Sequence, residues 1–77
     1  MHKYRLEFIL SIQDASPQII RNAIVGFGEG LEISPLPQDN GGKTRDLKIH
    51  ILTEDPTVIF DTCAQFGRIK SVKVDEV

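Results

Sequence analysis

Residues 4–28 of the chain read YRLEFILSIQDASPQIIRNAIVGFG, and residues 43–67, which lie 39 positions later, read KTRDLKIHILTEDPTVIFDTCAQFG. The two stretches align without a gap: Ser16-Pro17 falls on Asp55-Pro56, and Phe27-Gly28 falls on Phe66-Gly67. Their shared pattern predicts a strand, a helix and a further strand, occurring twice. We therefore expect one domain over residues 1–77, with repeat halves 1–38 and 40–77.

Alternation of apolar and polar residues predicts the first strand, because every second side chain of a strand lies on the same face. The apolar set is Tyr4, Leu6, Phe8, Leu10 and Ile12. Ser16 is a good N-cap and Pro17 suits the first helical turn. Helical spacing then predicts one buried stripe, formed by Ile20, Ala23, Ile24 and Phe27.

The second half repeats this order of elements. Leu31 and Ile33 predict a short edge strand, which Pro35 and Pro37 limit because proline cannot donate to a ladder. Asn40-Gly41-Gly42 has the residue types of a turn between strands. Leu47, Ile49 and Ile51 predict a third strand. Ile59, Cys63 and Phe66 predict a second helix, and Val72 and Val74 predict a last strand.

The element order β-α-β-β-α-β predicts an α+β fold, in which two helices cover one face of a four-stranded antiparallel sheet. This is the ferredoxin-like arrangement. Right-handed crossovers predict the strand order 4-1-3-2, with the two most apolar strands in the middle.

Composition argues against several classes of function. The net charge is −2 with both signs interspersed, so we expect no nucleic acid as a partner. The sequence has no apolar run near the roughly 20 residues of a bilayer span and no pattern of a signal peptide, so we expect no membrane association. A single cysteine, Cys63, agrees with a reducing compartment. We expect a cytoplasmic protein.

Three residues or motifs have the chemistry of a site but lack its context. Gly42-Lys43-Thr44 resembles the end of a phosphate-binding P-loop, yet position 37 is a proline and a strand follows. Cys63 lies on an apolar stripe, where a thiol acts as a small hydrophobe. His50 faces away from the predicted core without a partner that would orient it. We therefore expect no catalytic residues, no metal and no cofactor.

Protein families that share this architecture differ from the chain at their functional positions. Acylphosphatases hold phosphate with an arginine in the first strand-helix loop, and metallochaperones use a C-x-x-C pair there, whereas this loop reads Gln13-Asp14-Ala15-Ser16. RNA-recognition domains stack bases on aromatic residues of the open sheet face. The corresponding residues here are Glu7, Ile9, Lys48 and His50.

Two surfaces are candidates for protein contact. Ile9 and Leu52 interrupt the polar open face, and neighbouring strands could bring them into one small apolar patch beside His50 and Lys48. The edge formed by residues 71–75 of the last strand could pair with another chain and extend the sheet, although Lys73 on that strand argues for protection against such pairing.

The sequence therefore favours a small non-catalytic module for protein interaction or oligomerisation, whose partner is itself or another protein. One alternative is a small-ligand-sensing domain, since amino-acid-binding ACT domains resemble this topology. That family usually has a glycine at the start of the first helix, where this chain has Asp14-Ala15-Ser16-Pro17. A second alternative is a non-catalytic subunit of an enzyme.

Overall fold

The computed structural model of the chain describes residues 2–37 and 44–77. The strands are β1 (Tyr4–Ile12), β2 (Glu29–Pro35), β3 (Arg45–Thr53) and β4 (Gly67–Glu76); the helices are α1 (Pro17–Ile24), which a 3₁₀ turn (Val25–Phe27) follows, and α2 (Pro56–Ala64). The strands form one antiparallel sheet in the order β2-β3-β1-β4. This confirms the predicted fold and the predicted strand order.

Both helices begin as the sequence predicts. The Ser16 side chain accepts a hydrogen bond from the backbone N–H of Ile19, and the Asp55 side chain accepts one from Val58. A proline follows each capping residue, where the missing N–H costs no helical hydrogen bond. The two helices therefore start with the same local chemistry, 39 residues apart.

The core lies between the sheet and the helices. Its buried members come from the alternating positions of β1 and β3 and from one stripe of each helix: Leu6, Phe8, Leu10, Ile12, Ile20, Ile24, Leu47, Ile49, Ile51, Ile59 and Cys63. Phe8 and Phe60 pack edge to face, with ring centroids 5.3 Å apart. The central strands therefore supply most of the buried side chains.

The prediction that Phe27 lies in the core is wrong, because half of its surface is exposed. The α-helix ends at Ile24, and Phe27 belongs to the 3₁₀ turn. A 3₁₀ turn has about three residues per turn, so residues beyond Ile24 rotate off the stripe that α-helical spacing predicts. Phe66, at the matching position of the repeat, lies beyond the end of α2 and packs against the core, partly buried.

Val72 and Val74, the apolar residues that predicted the last strand, lie in β4, but about half of each is exposed. A bulge shifts the register: Ile9 lies opposite Lys70, whereas Glu7 lies opposite Lys73. Ser71, inside this bulge, has a φ of 56°. The extra residue keeps Val74 on the core side of the sheet, beside the buried Leu6, but Val74 is 45% exposed because β4 is an edge strand.

Two further predictions concern the chain between α1 and β3. The second strand begins at Glu29, two residues earlier than Leu31, and it ends at Pro35, the first of the two prolines expected to limit it. The predicted turn at Asn40-Gly41-Gly42 lies outside the described residues.

Candidate interaction surface

The open face is the side of the sheet away from the helices, and its residues form rows across the strands. In one row Glu7 of β1 and Glu32 of β2 flank His50 of β3. In the next row Lys48 of β3 lies between Ile9 and Ser34. The structure therefore places the predicted residues His50 and Lys48 on adjacent rows of this face.

Ile9 and Leu52, the two apolar residues predicted to form a patch, are not cross-strand neighbours. Leu52 lies opposite Arg5, which is four positions from Ile9 along β1. That separation is about 13 Å at the usual rise of a strand. The row of Glu7 and His50 lies between them, so the two side chains stand as single, half-buried apolar residues.

Ion pairs compensate much of the charge on the open face. Lys48 Nζ lies 3.3 Å from Glu7 Oε1, and Lys70 Nζ lies 3.3 Å from Asp46 Oδ2. The Ser11 hydroxyl donates to Asp46 Oδ1 at 2.7 Å. That hydrogen bond is the largest cause that lowers the pKa of Asp46 below its ordinary value, and the nearby Lys70 lowers it further. This face has the charge pattern of a solvated surface.

The two edges of the sheet differ in their ability to pair with another strand. On β2, Pro35 lacks an N–H donor, and the register shifts between Glu29 and Glu32, where Gly30 has a φ of 63°. Prolines and bulges of this kind disrupt the row of donors and acceptors that a new strand needs. The β2 edge is therefore protected.

The distal edge of β4, which we define as residues 72–77, has no such protection. It contains no proline, its ladder with β1 is regular from Lys73 onward, and all of its residues are exposed. Val72, Val74 and Val77 have 52%, 45% and 64% of their surface exposed. The sequence indicated this edge through residues 71–75; it missed Val77, whose N–H donates to Lys3 O at 2.8 Å and so extends the ladder.

An open depression of about 700 Å³ lies at one end of the sheet, between the β1-α1 loop and the α2-β4 turn. Gln13, Asp14, Gln65 and Arg68 contribute polar side chains to its wall. Arg68 forms no ion pair with any other residue that the structure describes. Sequence reasoning missed this depression, because its lining residues come together only through the β1-β4 pairing.

The structure also bears on three other kinds of site: a reactive thiol, a metal centre and a membrane-spanning helix. Cys63 is fully buried, and burial raises the pKa of its thiol to about 11. Within residues 2–37 and 44–77, no group of three His, Cys, Asp or Glu side chains is placed to hold a metal ion. In the same residues, no helix has the length and apolar character needed to cross a membrane.

Comparison with known families identifies the type of domain. Residues 1–77 match the family model of the FakA-like middle domain, whose description assigns it to a fatty acid kinase. The chain belongs to this family. No curated protein matches it. This member of the family combines a ferredoxin-like fold, a charge-compensated open face and, at β4, one sheet edge without proline.

Proposed function

We propose that this chain is a non-catalytic domain of a cytoplasmic fatty acid kinase subunit, and that it works by holding protein chains together. Membership of a family described as the middle domain of such a subunit supports the first part. The unprotected distal edge of β4 supports the second part, since an exposed row of backbone donors and acceptors is a template for strand addition.

The exposed valines of this edge contribute apolar contact as well as backbone hydrogen bonds. Val74 lies on the core side of the sheet, beside Leu6, where an added strand or helix would cover it. Burial of apolar surface at about 25 cal/mol per Å² would add to the hydrogen bonds of the new ladder. Neither contribution requires a metal, a cofactor or a catalytic side chain.

Native mass spectrometry of the protein purified gently from its own host tests the proposal. We expect a mass above that of one chain, from a second copy or from another subunit. Val74→Pro is expected to abolish the association, because proline lacks the N–H that an added strand would bond. The matched control, Val74→Thr, keeps that N–H and a similar shape and is expected to associate normally. A bare monomer in the unmodified protein would contradict the proposed function.

A second candidate function is small-ligand sensing, which the depression beside the β1-α1 loop favours. The resemblance to ACT domains implies an effector site near the first helix, and Gln13 and Asp14 lie in that loop. Ligand at 100 times its dissociation constant should add about 2.7 kcal/mol to the free energy of unfolding. A panel of amino acids is therefore expected to raise the melting temperature of the parent but not of Arg68→Ala. Absence of any shift in the parent would remove this candidate.

A further inference from the structure

The backbone of β4 shows which of its residues are free to pair outward. The N–H of Val77 donates to Lys3 O, so Val77 directs its backbone groups toward β1. In an antiparallel ladder this direction alternates from residue to residue. Lys73 and Asp75 therefore also point toward β1, and the backbone groups of Val74 and Glu76 point away from the sheet.

We propose that two copies of this chain pair antiparallel through the distal edge of β4, with Val74 of each copy on the twofold axis. This inference rests on the proposed function and names its partner as a second copy. Val74 would exchange two backbone hydrogen bonds with Val74 of the second copy, and Val72 would lie opposite Glu76. The two sheets would become one sheet of about eight strands.

Charge selects among the registers that place Lys73, Val74 or Asp75 on the axis. With Lys73 on the axis, two lysines lie directly opposite each other; with Asp75 on the axis, two aspartates do. With Val74 on the axis, Lys73 of each copy lies opposite Asp75 of the other. Opposite charges across a strand pair stabilise it, and like charges destabilise it. Of the three, the Val74 register alone pairs Lys73 and Asp75 favourably.

The alternation of positive and negative charge at the proposed interface continues into β1 of each copy. Lys73 lies beside Glu7 on β1, and Asp75 lies beside Arg5. The combined row would read Glu7, Lys73, then Asp75 and Arg5 of the second copy, so that the sign of the charge alternates at every step. The adjacent row would be apolar, because Val74 lies beside Leu6 in each copy.

The bulge at Ser71 confines the pairing to the distal edge. The bulge reverses the alternation of side chains between the two faces. Ile69, opposite Leu10, and Val74, opposite Leu6, both lie on the core side, so odd-numbered residues face the core before the bulge and even-numbered residues face it afterwards. A two-stranded interface that ran straight through the bulge would place core-side residues of one copy against open-face residues of the other. The interface is therefore short, and its register depends strongly on the two charge pairs.

Cysteine cross-linking tests the register directly in the otherwise unmodified chain. A residue on the axis of a hydrogen-bonded pair has its partner Cα about 5.5 Å away, which is within disulfide range. Under mild oxidation Val74→Cys is expected to form a covalent dimer. Lys73→Cys and Asp75→Cys are the matched controls, since each would lie about 8 Å from its own copy and stay monomeric on a denaturing gel. The buried thiol of Cys63 does not compete.

Each outcome separates this inference from the proposed function. Cross-linking of Lys73→Cys or Asp75→Cys in place of Val74→Cys overturns the register. A multimer in the native mass spectrum without any cross-link overturns β4 pairing, although it leaves the proposed function standing. A monomer without any cross-link overturns both.

Charge reversal provides a second and independent test by sedimentation equilibrium. Lys73→Asp replaces two attractive pairs by two repulsive ones, and we expect the dissociation constant of the dimer to rise about tenfold. The double variant Lys73→Asp, Asp75→Lys restores opposite charges and is expected to recover most of the affinity. Failure of the double variant to recover it, with melting curves that show both variants folded, overturns the proposed register.

Discussion

Gly67→Ala is a sharp test of how β4 joins the sheet. Gly67 is the first residue of β4 and pairs with Ile12 at the end of β1. An added Cβ at this position would lie 1.9 Å from the carbonyl oxygen of Ser11 and 2.8 Å from its carbonyl carbon. Both are backbone atoms, so no side-chain rotation can relieve the contact.

The expected cost follows from that distance. Cβ atoms essentially never lie closer than 3.0 Å to such an atom, so the two strands must separate by about 1 Å. Overpacking of this kind costs about 1–3 kcal/mol, and weakened ladder hydrogen bonds would add to it. We expect a loss of about 2–3 kcal/mol, out of the roughly 4–12 kcal/mol that a domain of this size has.

Thermal and urea unfolding followed by circular dichroism would measure this loss. For a domain of this length the melting temperature is expected to fall by about 8–24 °C. Gly26→Ala is the matched control, because an added Cβ there meets no atom within 4 Å. Alanine at Gly26 is expected to be neutral or to stabilise by up to about 1 kcal/mol. Equal melting temperatures for Gly67→Ala and the parent would refute the close approach of β4 to β1.

Three further predictions concern the core and the open face. Phe8→Ala should cost about 3–5 kcal/mol in urea unfolding, whereas the half-exposed Phe27→Ala should cost about 1 kcal/mol; equal costs would contradict the burial of Phe8. The Cys63 thiol, with its pKa raised to about 11, should react with a disulfide reagent at pH 8 about a hundredfold more slowly in the folded protein than in urea; equal rates would show that the thiol is accessible. Ser11→Ala should raise the pKa of Asp46 in an NMR titration, since it removes the main cause of the lowering. Because that pKa is lowered by folding, the ionised carboxylate stabilises the fold above about pH 4, and this stabilisation is lost as the pH falls; an unchanged pKa would contradict the hydrogen bond.

The order of elements could be predicted because each one is encoded by neighbouring residues. Alternation in β1 and β3, and a capping residue followed by proline before each helix, are local signals that a sequence displays directly. The strand order followed from the handedness of crossovers, which is common to most folds. These features require no knowledge of the side-chain contacts between elements.

The surface could be predicted only in part, because it depends on register. Sequence indicated the edge of β4 as a candidate for pairing, but not the bulge at Ser71 that separates its covered half from its distal half. The sequence indicated that Ile9 and Leu52 lie on the open face, but it did not indicate that their rows are about 13 Å apart. Register is set by pairing between residues far apart in the chain.

What the sequence by itself determined is therefore the type, order and direction of the elements, since periodicity and capping are properties of adjacent residues. The tertiary structure decided which apolar side chains of each element are buried by neighbouring elements and which are exposed. Phe27 is exposed because a 3₁₀ turn ends α1, and Val74 is exposed because β4 is an edge strand, whereas its neighbour Leu6 on the central strand β1 is fully buried. Exposure depends on how far one element reaches over another, and that length is fixed only when the elements pack.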